Sequence, residues 1–344
     1  MFAKLIVLFA AFILTISYPA SGGDVNSDQV QSQKKTIRIL GIGNSFLANA
    51  TKYLPELAEE AGHKLVIFRG TPSSCTLAKH YSMALKNEKD PENSSYKPYF
   101  YKGKGKMSLK DAILADEWDY VTIQQASHES FNIDSYRPHA KNLCDYIKKY
   151  APKAEVILHQ TWAWRRDIPR DGVNEKYGPG GMYKELSKAY YTIGKELALR
   201  IIPVGNAFQL AAESPEWKFE RDPNFDYENP KYPNLPDEKK SLHVGYFWSE
   251  KGASRRTASE MMPKKDTKDG KEFFFTLDGS HANEAGMYLG ACVWFEFFYN
   301  EDVRKRNFCP PEIDKNDASK LRELAHRIVT EAVVPSAWPM ELNK

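Results

Sequence analysis

The first residue with clear chemical potential is Ser45, which lies near the start of the chain. It follows a short β-branched run, Ile37 to Leu40, and the glycines Gly41 and Gly43. The run has the composition of a β-strand, and such glycines end strands. From Asn49 onward apolar residues recur at helical spacing, so the pattern predicts strand, tight turn and helix. Such a turn places the serine near free N–H groups at a helix N-terminus, which can stabilise a developing anion.

A second pair of reactive residues, Asp278 and His281, lies three residues apart just before a helical run at 284–299. That spacing can place both side chains on one side of a turn, with the carboxylate holding the tautomer of the imidazole. An imidazole held in this way is the base that a nucleophilic serine needs. Alone, either motif is commonly a hydrogen bond within a loop. Together with Ser45, the pair indicates nucleophilic catalysis.

The glycine pair before the serine also fits the start of a dinucleotide-binding fingerprint. That fingerprint needs a third glycine, where this chain has Phe46, and an acidic residue after the next strand, where it has Arg69. Both requirements fail, which argues against a nicotinamide or flavin enzyme. The cysteines show no zinc-ligand spacing. We therefore expect no cofactor and no metal.

Two blocks of the sequence resemble a known superfamily. Gly43-Asn44-Ser45 and Asp278-Gly279-Ser280-His281 are similar to the first and last conserved blocks of the SGNH (GDSL-type) hydrolases. The continuation His281-x-Asn283-x-x-Gly286-x-Tyr288-Leu289 resembles a secreted bacterial branch in which Gly-Asn-Ser-Phe replaces Gly-Asp-Ser-Leu. The resemblance spans about 37–298 with one insertion. It implies that Ser45 is the nucleophile, His281 the base and Asp278 its orienting acid.

The same resemblance implies an oxyanion hole, to which the Ser45 N–H contributes. Where the family has a glycine whose N–H is a second donor, this chain has Ser73-Ser74, and Ser74 is the predicted donor. Where the family has an asparagine amide, this chain has Gln124-Gln125. An amide one methylene longer can do the same job, so we predict Gln125, with Gln124 as the alternative.

Strands and helices alternate along the chain, and the presumed catalytic residues follow strands. This order predicts an α/β fold: a three-layer α/β/α sandwich with a parallel sheet and the site at its carboxyl edge. The superfamily resemblance implies five strands in the flavodoxin-like order. The proline in Ile201-Ile202-Pro203-Val204 predicts an edge strand.

The segment 213–271 breaks this alternation with scattered prolines, charges and aromatic residues. An excursion of this length is uncommon in a compact domain unless it serves a site, and this one ends shortly before Asp278. We interpret it as a lid or substrate platform, with a surface ornament as the alternative. The hydrolase domain is expected over 36–335, with this segment as an insertion.

Trp162 and Trp164 leave the fourth predicted strand in a polar segment that also holds Arg165. Exposed indoles at the catalytic edge could stack on a sugar ring, and burial in the core is the alternative. We therefore expect a serine esterase that removes acetyl groups from a carbohydrate, with a glycan or small-molecule ester as its partner. A secreted lipase or thioesterase ranks second, because lipases need a broad apolar mouth. A non-catalytic carbohydrate-binding protein ranks third, because it would need an incomplete triad.

Residues 1–22 have the charged start, apolar middle and small-residue end of a secretory signal peptide. The apolar part is short for a bilayer span, so a secreted or periplasmic protein without a stable span is expected. Residues 23–35 are predicted to be a disordered lead-in. The 48 basic and 45 acidic residues are too balanced for a nucleic-acid binder. Among four cysteines, Cys144 and Cys292 lie on apolar helix faces and are expected to be buried thiols.

Overall fold

The strand that leads to Ser45 lies inside a five-stranded parallel sheet. The computed structural model describes residues 34–101, 103–168, 181–238, 241–250, 264–331, 335–339 and 342. The predicted signal peptide and nearly all of the predicted lead-in lie outside these residues. The strands are β1 (Thr36–Ile42), β2 (Lys64–Gly70), β3 (Tyr99–Tyr101), β4 (Gly105–Met107), β5 (Tyr120–Ile123), β6 (Glu155–His159), β7 (Ile201–Ile202), β8 (Tyr246–Glu250), β9 (Lys264–Lys268) and β10 (Lys271–Leu277).

The main sheet has the strand order β2-β1-β5-β6-β7, and every pairing is parallel. With the small β3–β4 hairpin set aside, this is the flavodoxin-like order, which confirms the predicted fold class. The two-residue β7 lies at the sheet edge, as the proline at 203 predicted. Ile42 pairs with Gly70 and with Ile123, the last residues of β2 and β5. These three strand ends therefore lie together at the carboxyl edge.

Helices cover the sheet. They are α1 (Ser45–Ala50), α2 (Leu54–Glu60), α3 (Leu77–Lys89), α4 (Leu109–Ile113), α5 (His139–Tyr150), α6 (Gly181–Leu197), α7 (Val204–Glu213), α8 (Glu284–Tyr299) and α9 (Lys315–Thr330). The nearly all-buried α8 packs against α1, α2, α7 and α9, while α3, α4 and α5 pack together as a second group. A helix that is apolar all round requires cover on every side, which its four helical neighbours supply.

The single helix expected from Asn49 onward is divided into α1 and α2. Pro55 lies in the first turn of α2, where its missing N–H costs nothing, but it cannot continue a helix from α1. The division lets α1 be short and begin at Ser45 itself.

Part of the predicted insertion is ordered as a second sheet. Strands β8, β10 and β9 form an antiparallel sheet in that order, with Leu277 opposite Tyr246 and Phe275 opposite Trp248. The chain leaves β10 directly into Asp278. The segment that leads to the predicted acid is thus a strand of this sheet.

All four cysteines are free thiols in the structure. Cys292 is fully buried on α8, as predicted, whereas Cys144 on α5 is only half-buried. Among the described residues, no helix is both long and apolar enough to span a bilayer.

Candidate active site

The turn between β1 and α1 presents Ser45 as the first residue of a helix. Asn44 is the N-cap of α1, and its Oδ1 accepts a hydrogen bond from the Phe46 N–H at 3.1 Å. Its Nδ2 donates to the Cys75 carbonyl at 3.3 Å. An asparagine cap satisfies one of the N–H groups that a helix start leaves open. The turn is therefore fixed to both its own helix and the loop that follows β2.

The side chains of Ser45, His281 and Asp278 form one hydrogen-bonded chain. The Ser45 Oγ lies 2.8 Å from His281 Nε2, and His281 Nδ1 lies 3.0 Å from each carboxylate oxygen of Asp278. A carboxylate only accepts, so Nδ1 carries the proton and Nε2 is free to accept the serine proton. This is the arrangement in which a histidine activates a serine as a nucleophile.

Asp278 is held as an anion by its own loop. Its Oδ1 accepts hydrogen bonds from the Ser280 N–H, the Ser280 hydroxyl and the His281 N–H at 2.9–3.1 Å. Burial of the carboxyl opposes ionisation, but these bonds and the neighbouring imidazole keep the pKa of Asp278 well below its usual value. Asp278 therefore remains charged at neutral pH and can orient the imidazole.

A second stretch of chain, 241–245, holds the loop that carries these residues. The Val244 N–H donates to the His281 carbonyl at 2.9 Å, and the Gly279 N–H donates to the Val244 carbonyl at 2.8 Å. Gly279 has φ +61°, and a Cβ there would lie 2.6 Å from Ile168. The Ala282 N–H donates to Asn49 Oδ1 at 3.2 Å, which links the loop to α1.

Two predicted oxyanion donors are backbone N–H groups, those of Ser45 and Ser74. Neither group is engaged by another of the described residues. Ser74 has φ +49°, the left-handed region that favours glycine, and it lies in the turn that Cys75 N–H closes onto Pro72. A serine thus adopts the backbone conformation that a glycine would take here.

The Gln125 side chain does not face the site, contrary to the prediction. Its Nε2 donates to the carbonyl and hydroxyl of Ser135 at 3.0 and 2.9 Å, and its Oε1 accepts from the Leu77 and Ala126 N–H groups. The residue is fully buried. Both amide protons are committed to Ser135, so the side chain connects the loops after β2 and β5 instead of offering an oxyanion donor.

The two tryptophans predicted to stack on substrate are buried. Trp162 is 0% exposed, with its ring stacked between Phe46 and Phe208 at centroid distances of 4.4 Å each. Its Nε1 donates to the Ser280 carbonyl at 2.9 Å. Trp164 is 7% exposed. The polar residues beside these tryptophans in the sequence do not make the indoles exposed, because the rings are covered by aromatic side chains from other parts of the chain.

A cavity of about 290 Å³ lies behind this aromatic stack. Its walls include Trp164, Phe208, Trp217, Leu242 and His243. Phe208 lines this cavity and also stacks on Trp162, and Trp164 lines the same cavity.

Arg165 is 2% exposed and joins the 213–271 segment to the loop that carries Asp278 and His281. Its guanidinium bonds Asp167 and Glu238 at 2.6–3.2 Å and lies 4.0 Å from the Phe219 ring centroid. The backbone N–H of Arg165 donates to the Gly279 carbonyl at 2.8 Å. The positive charge of Arg165, which suggested that the segment after β6 is exposed, is instead neutralised by buried ion pairs with Asp167 and Glu238.

A group of metal-ligand type occurs away from Ser45, at Glu296, Asp302 and His326. The His326 Nδ1 lies 2.6 Å from Glu296 and 3.5 Å from Asp302, and Arg304 pairs with Asp302 at 2.9 Å. These contacts form a hydrogen-bonded network between the end of α8, the turn that follows it and α9. A metal ion would have to replace the contacts that Glu296, Asp302 and His326 make with one another and with Arg304.

The sequence analysis did not identify His80, whose side chain bonds the turn between β1 and α1. Its Nε2 donates to the Gly43 carbonyl at 3.0 Å, and its Nδ1 accepts from the Tyr99 hydroxyl at 2.6 Å. Complete burial lowers the pKa of His80 to about 4, so the ring is neutral at pH 7. A lone histidine in a helix carries no sequence signal for this role.

The fold and site together define an α/β protein with a hydrogen-bonded serine, histidine and aspartate at the carboxyl edge of its sheet. The family model DUF4886, described as a domain of unknown function, matches residues 38–232, more than half of the chain. The chain belongs to that family. The match includes Ser45 and ends before Asp278 and His281. A comparison with curated proteins found no match.

Three solved structures resemble this one. A DUF4886 family protein from Bacteroides uniformis ATCC 8492 has 24% identity and a TM-score of 0.63, with 87% of this chain and 97% of that chain covered, which shows a shared fold. A protein from Parabacteroides merdae ATCC 43184 named for its likeness to GDSL lipases has 17% identity and a TM-score of 0.33, with 52% and 83% covered. A candidate lipase from Chitinophaga pinensis DSM 2588 has 14% identity and a TM-score of 0.38, with 77% and 98% covered. The last two TM-scores are too low to establish a common fold.

Proposed function

We propose that this protein is a serine hydrolase of the SGNH type that cleaves carboxylic esters. The observation that carries the proposal is the unbroken contact from Ser45 Oγ through His281 to Asp278, at 2.8 and 3.0 Å. Ser45 attacks the acyl carbon while His281 takes its proton, and His281 then returns that proton to the leaving alcohol. The Ser45 and Ser74 N–H groups are the proposed oxyanion donors.

For the substrate we propose an acetylated carbohydrate met outside the cytoplasm, in keeping with the signal-peptide pattern of residues 1–22. The buried Trp162 and Trp164 give this part no support. What supports it is the set of half-buried rings on the strands next to Asp278, namely Tyr246, Trp248 and Phe273. Aromatic faces stack on sugar rings and can hold the alcohol side of an ester without a deep acyl pocket.

The experiment is a hydrolysis screen of the purified protein with nitrophenyl esters of two to twelve carbons and with acetylated oligosaccharides. We expect activity, with acetyl preferred over octanoyl, and a loss on the order of a millionfold in the Ser45→Ala variant with unchanged circular dichroism. Faster cleavage of octanoyl esters would favour a lipase or thioesterase. A Ser45→Ala variant that keeps most of its activity would exclude the triad.

Trp248→Ala tests the carbohydrate part separately. It should impair cleavage of an acetylated oligosaccharide much more than cleavage of nitrophenyl acetate, which offers no sugar ring. Equal losses on both substrates would mean that these rings serve the fold alone.

A further inference from the structure

Three buried polar side chains form a hydrogen-bonded chain beneath Ser45, one at the end of each of three neighbouring strands. Asn44 follows β1, Gln124 follows β5 and His159 ends β6. Gln124 Nε2 lies 2.8 Å from Asn44 Oδ1, and His159 Nδ1 lies 3.1 Å from Gln124 Oε1. Asn44 is 2% exposed and the other two are fully buried.

The contacts of this chain assign a direction to every hydrogen bond. Asn44 Oδ1 already accepts from the Phe46 N–H, so Gln124 must present its amide nitrogen to it. Gln124 Oε1 then accepts, which requires the proton of His159 on Nδ1. A reversed Gln124 amide would place oxygen against oxygen at one end and N–H against N–H at the other.

His159 is suited to enforce this direction. Burial lowers the pKa of His159 to about 3, so the ring is neutral and carries a single proton. Its Nε2 has no hydrogen-bond partner among the described residues, and its ring meets Trp294 edge-on at 5.2 Å. A buried nitrogen without a donor nearby is tolerated better unprotonated than as an N–H with no acceptor.

The position of Gln124 also accounts for the glycine before Asn44. A Cβ at Gly43 would lie 2.7 Å from Gln124 Oε1 and 2.8 Å from its Cδ and Cγ. The Gln124 side chain therefore packs directly against the backbone at Gly43, where only a glycine leaves room for it.

We propose that Gln124 and His159 are positioning residues for Ser45, which act by fixing the amide of Asn44. Asn44 caps α1, so its orientation sets the direction of the Ser45 N–H and hydroxyl at the first turn of that helix. This inference rests on the proposed function, since it assigns Gln124 a role in the same reaction without contact to substrate.

The test measures kcat and KM for nitrophenyl acetate and the rate at which a fluorophosphonate labels Ser45. Gln124→Leu should lower kcat and the labelling rate tenfold to a hundredfold with KM little changed, because the hydroxyl is misplaced while the substrate surface is intact. Gln124→Met keeps the length of the side chain and should lose a similar amount, because a thioether can neither donate to Asn44 Oδ1 nor replace the amide oxygen that accepts from His159 Nδ1. It serves if the leucine variant does not fold.

The matched control is Gln160→Leu. Gln160 is also fully buried beyond a strand end, and it bonds Ser187 and Asn206 instead of the nucleophile turn. The Gln160→Leu variant should lower the free energy of unfolding about as much as Gln124→Leu does. Its kcat should stay within about threefold of that of the unmodified protein, because the partners of Gln160 do not touch Asn44.

A double-mutant cycle tests whether His159 acts through Gln124. His159→Phe should lower kcat about tenfold in the unmodified chain and have almost no effect in the Gln124→Leu background, because the hydrogen bond that connects His159 to Asn44 through Gln124 is then gone.

Equal effects of His159→Phe in both backgrounds, or equal kcat losses in the Gln124 and Gln160 variants, would overturn the proposal. If the unmodified protein reacts with neither probe, the proposed function fails and the positioning role fails with it. If the unmodified protein reacts and the Gln124 variants react equally fast, only the positioning role is wrong.

Discussion

The indole N–H of Trp162 donates a hydrogen bond of 2.9 Å to the carbonyl oxygen of Ser280, the residue before His281. The same ring stacks on Phe46, the residue after Ser45, at a centroid distance of 4.4 Å. Trp162 therefore contacts the neighbours of both Ser45 and His281, and it fixes the separation between two segments that are far apart in the chain.

Trp162→Phe should keep the ring contact with Phe46 and lose the hydrogen bond to Ser280. We expect kcat for nitrophenyl acetate to fall about tenfold with KM unchanged, because the His281 loop loses one of its attachments. The control is Trp118→Phe, which removes an equivalent indole bond to the Ala112 carbonyl at 3.1 Å, remote from the catalytic loop. Equal losses in the two variants would mean that the effect is general destabilisation.

Asp278→Asn should lower kcat by on the order of ten-thousandfold without unfolding the protein. An amide nitrogen facing His281 Nδ1 favours the tautomer whose proton is on Nε2, which can no longer accept the proton of Ser45. Asp222→Asn is a suitable control, because that exposed carboxylate also accepts backbone N–H groups but has no contact with His281. A loss below tenfold for Asp278→Asn would remove the carboxylate from the mechanism.

Gln125→Leu should reduce stability more than catalysis. The substitution leaves the Leu77 and Ala126 N–H groups without their acceptor in a buried site, which costs about 1–3 kcal/mol of unfolding free energy. Urea unfolding measures this cost, and kcat should change by less than about tenfold. A hundredfold loss of kcat at unchanged stability would restore Gln125 as an oxyanion donor.

Stability should decrease as the pH falls from about 6.5 to about 4. Burial lowers the pKa of His80 to about 4 and that of His159 to about 3, whereas both are 6.5 in the unfolded chain. In this interval the unfolded chain binds protons that the folded protein does not, so acid favours unfolding by up to about 1.4 kcal/mol per pH unit for each histidine.

Urea unfolding at pH 7.5, 5.5 and 4.5 measures this dependence. The His159→Phe variant lacks one of the titrating groups and should show a shallower slope over the same interval. An identical slope would show that His159 is protonated in the folded protein.

The sequence was informative where local pattern determines structure. The alternation of strands and helices predicted the parallel sheet, while its strand order came from the superfamily resemblance. The Gly43-Asn44-Ser45 and Asp278-x-x-His281 spacings led to residues that the structure brings within hydrogen-bonding distance. Both depend on short stretches of chain, whose conformations follow from a few neighbouring residues.

The burial of side chains at the strand ends could not be predicted in the same way. Gln124 and Gln125 are adjacent, yet one faces Asn44 and the other faces Ser135, because successive residues of an extended chain point in opposite directions. The burial of Trp162 depends on Phe208, from a helix more than forty residues downstream. The residues next to Trp162 in the sequence therefore cannot predict its contact with Phe208.

The bond between Ser45 and His281 joins residues 236 positions apart. Contacts of such separation form late, because the intervening chain must be ordered before its ends can meet. During refolding from urea, far-UV circular dichroism should therefore recover before Ser45 becomes reactive toward a fluorophosphonate. The reactivity of the Ser45 hydroxyl is thus a measure of complete folding. In a partly folded chain that has not yet brought His281 to Ser45, the serine would have ordinary reactivity.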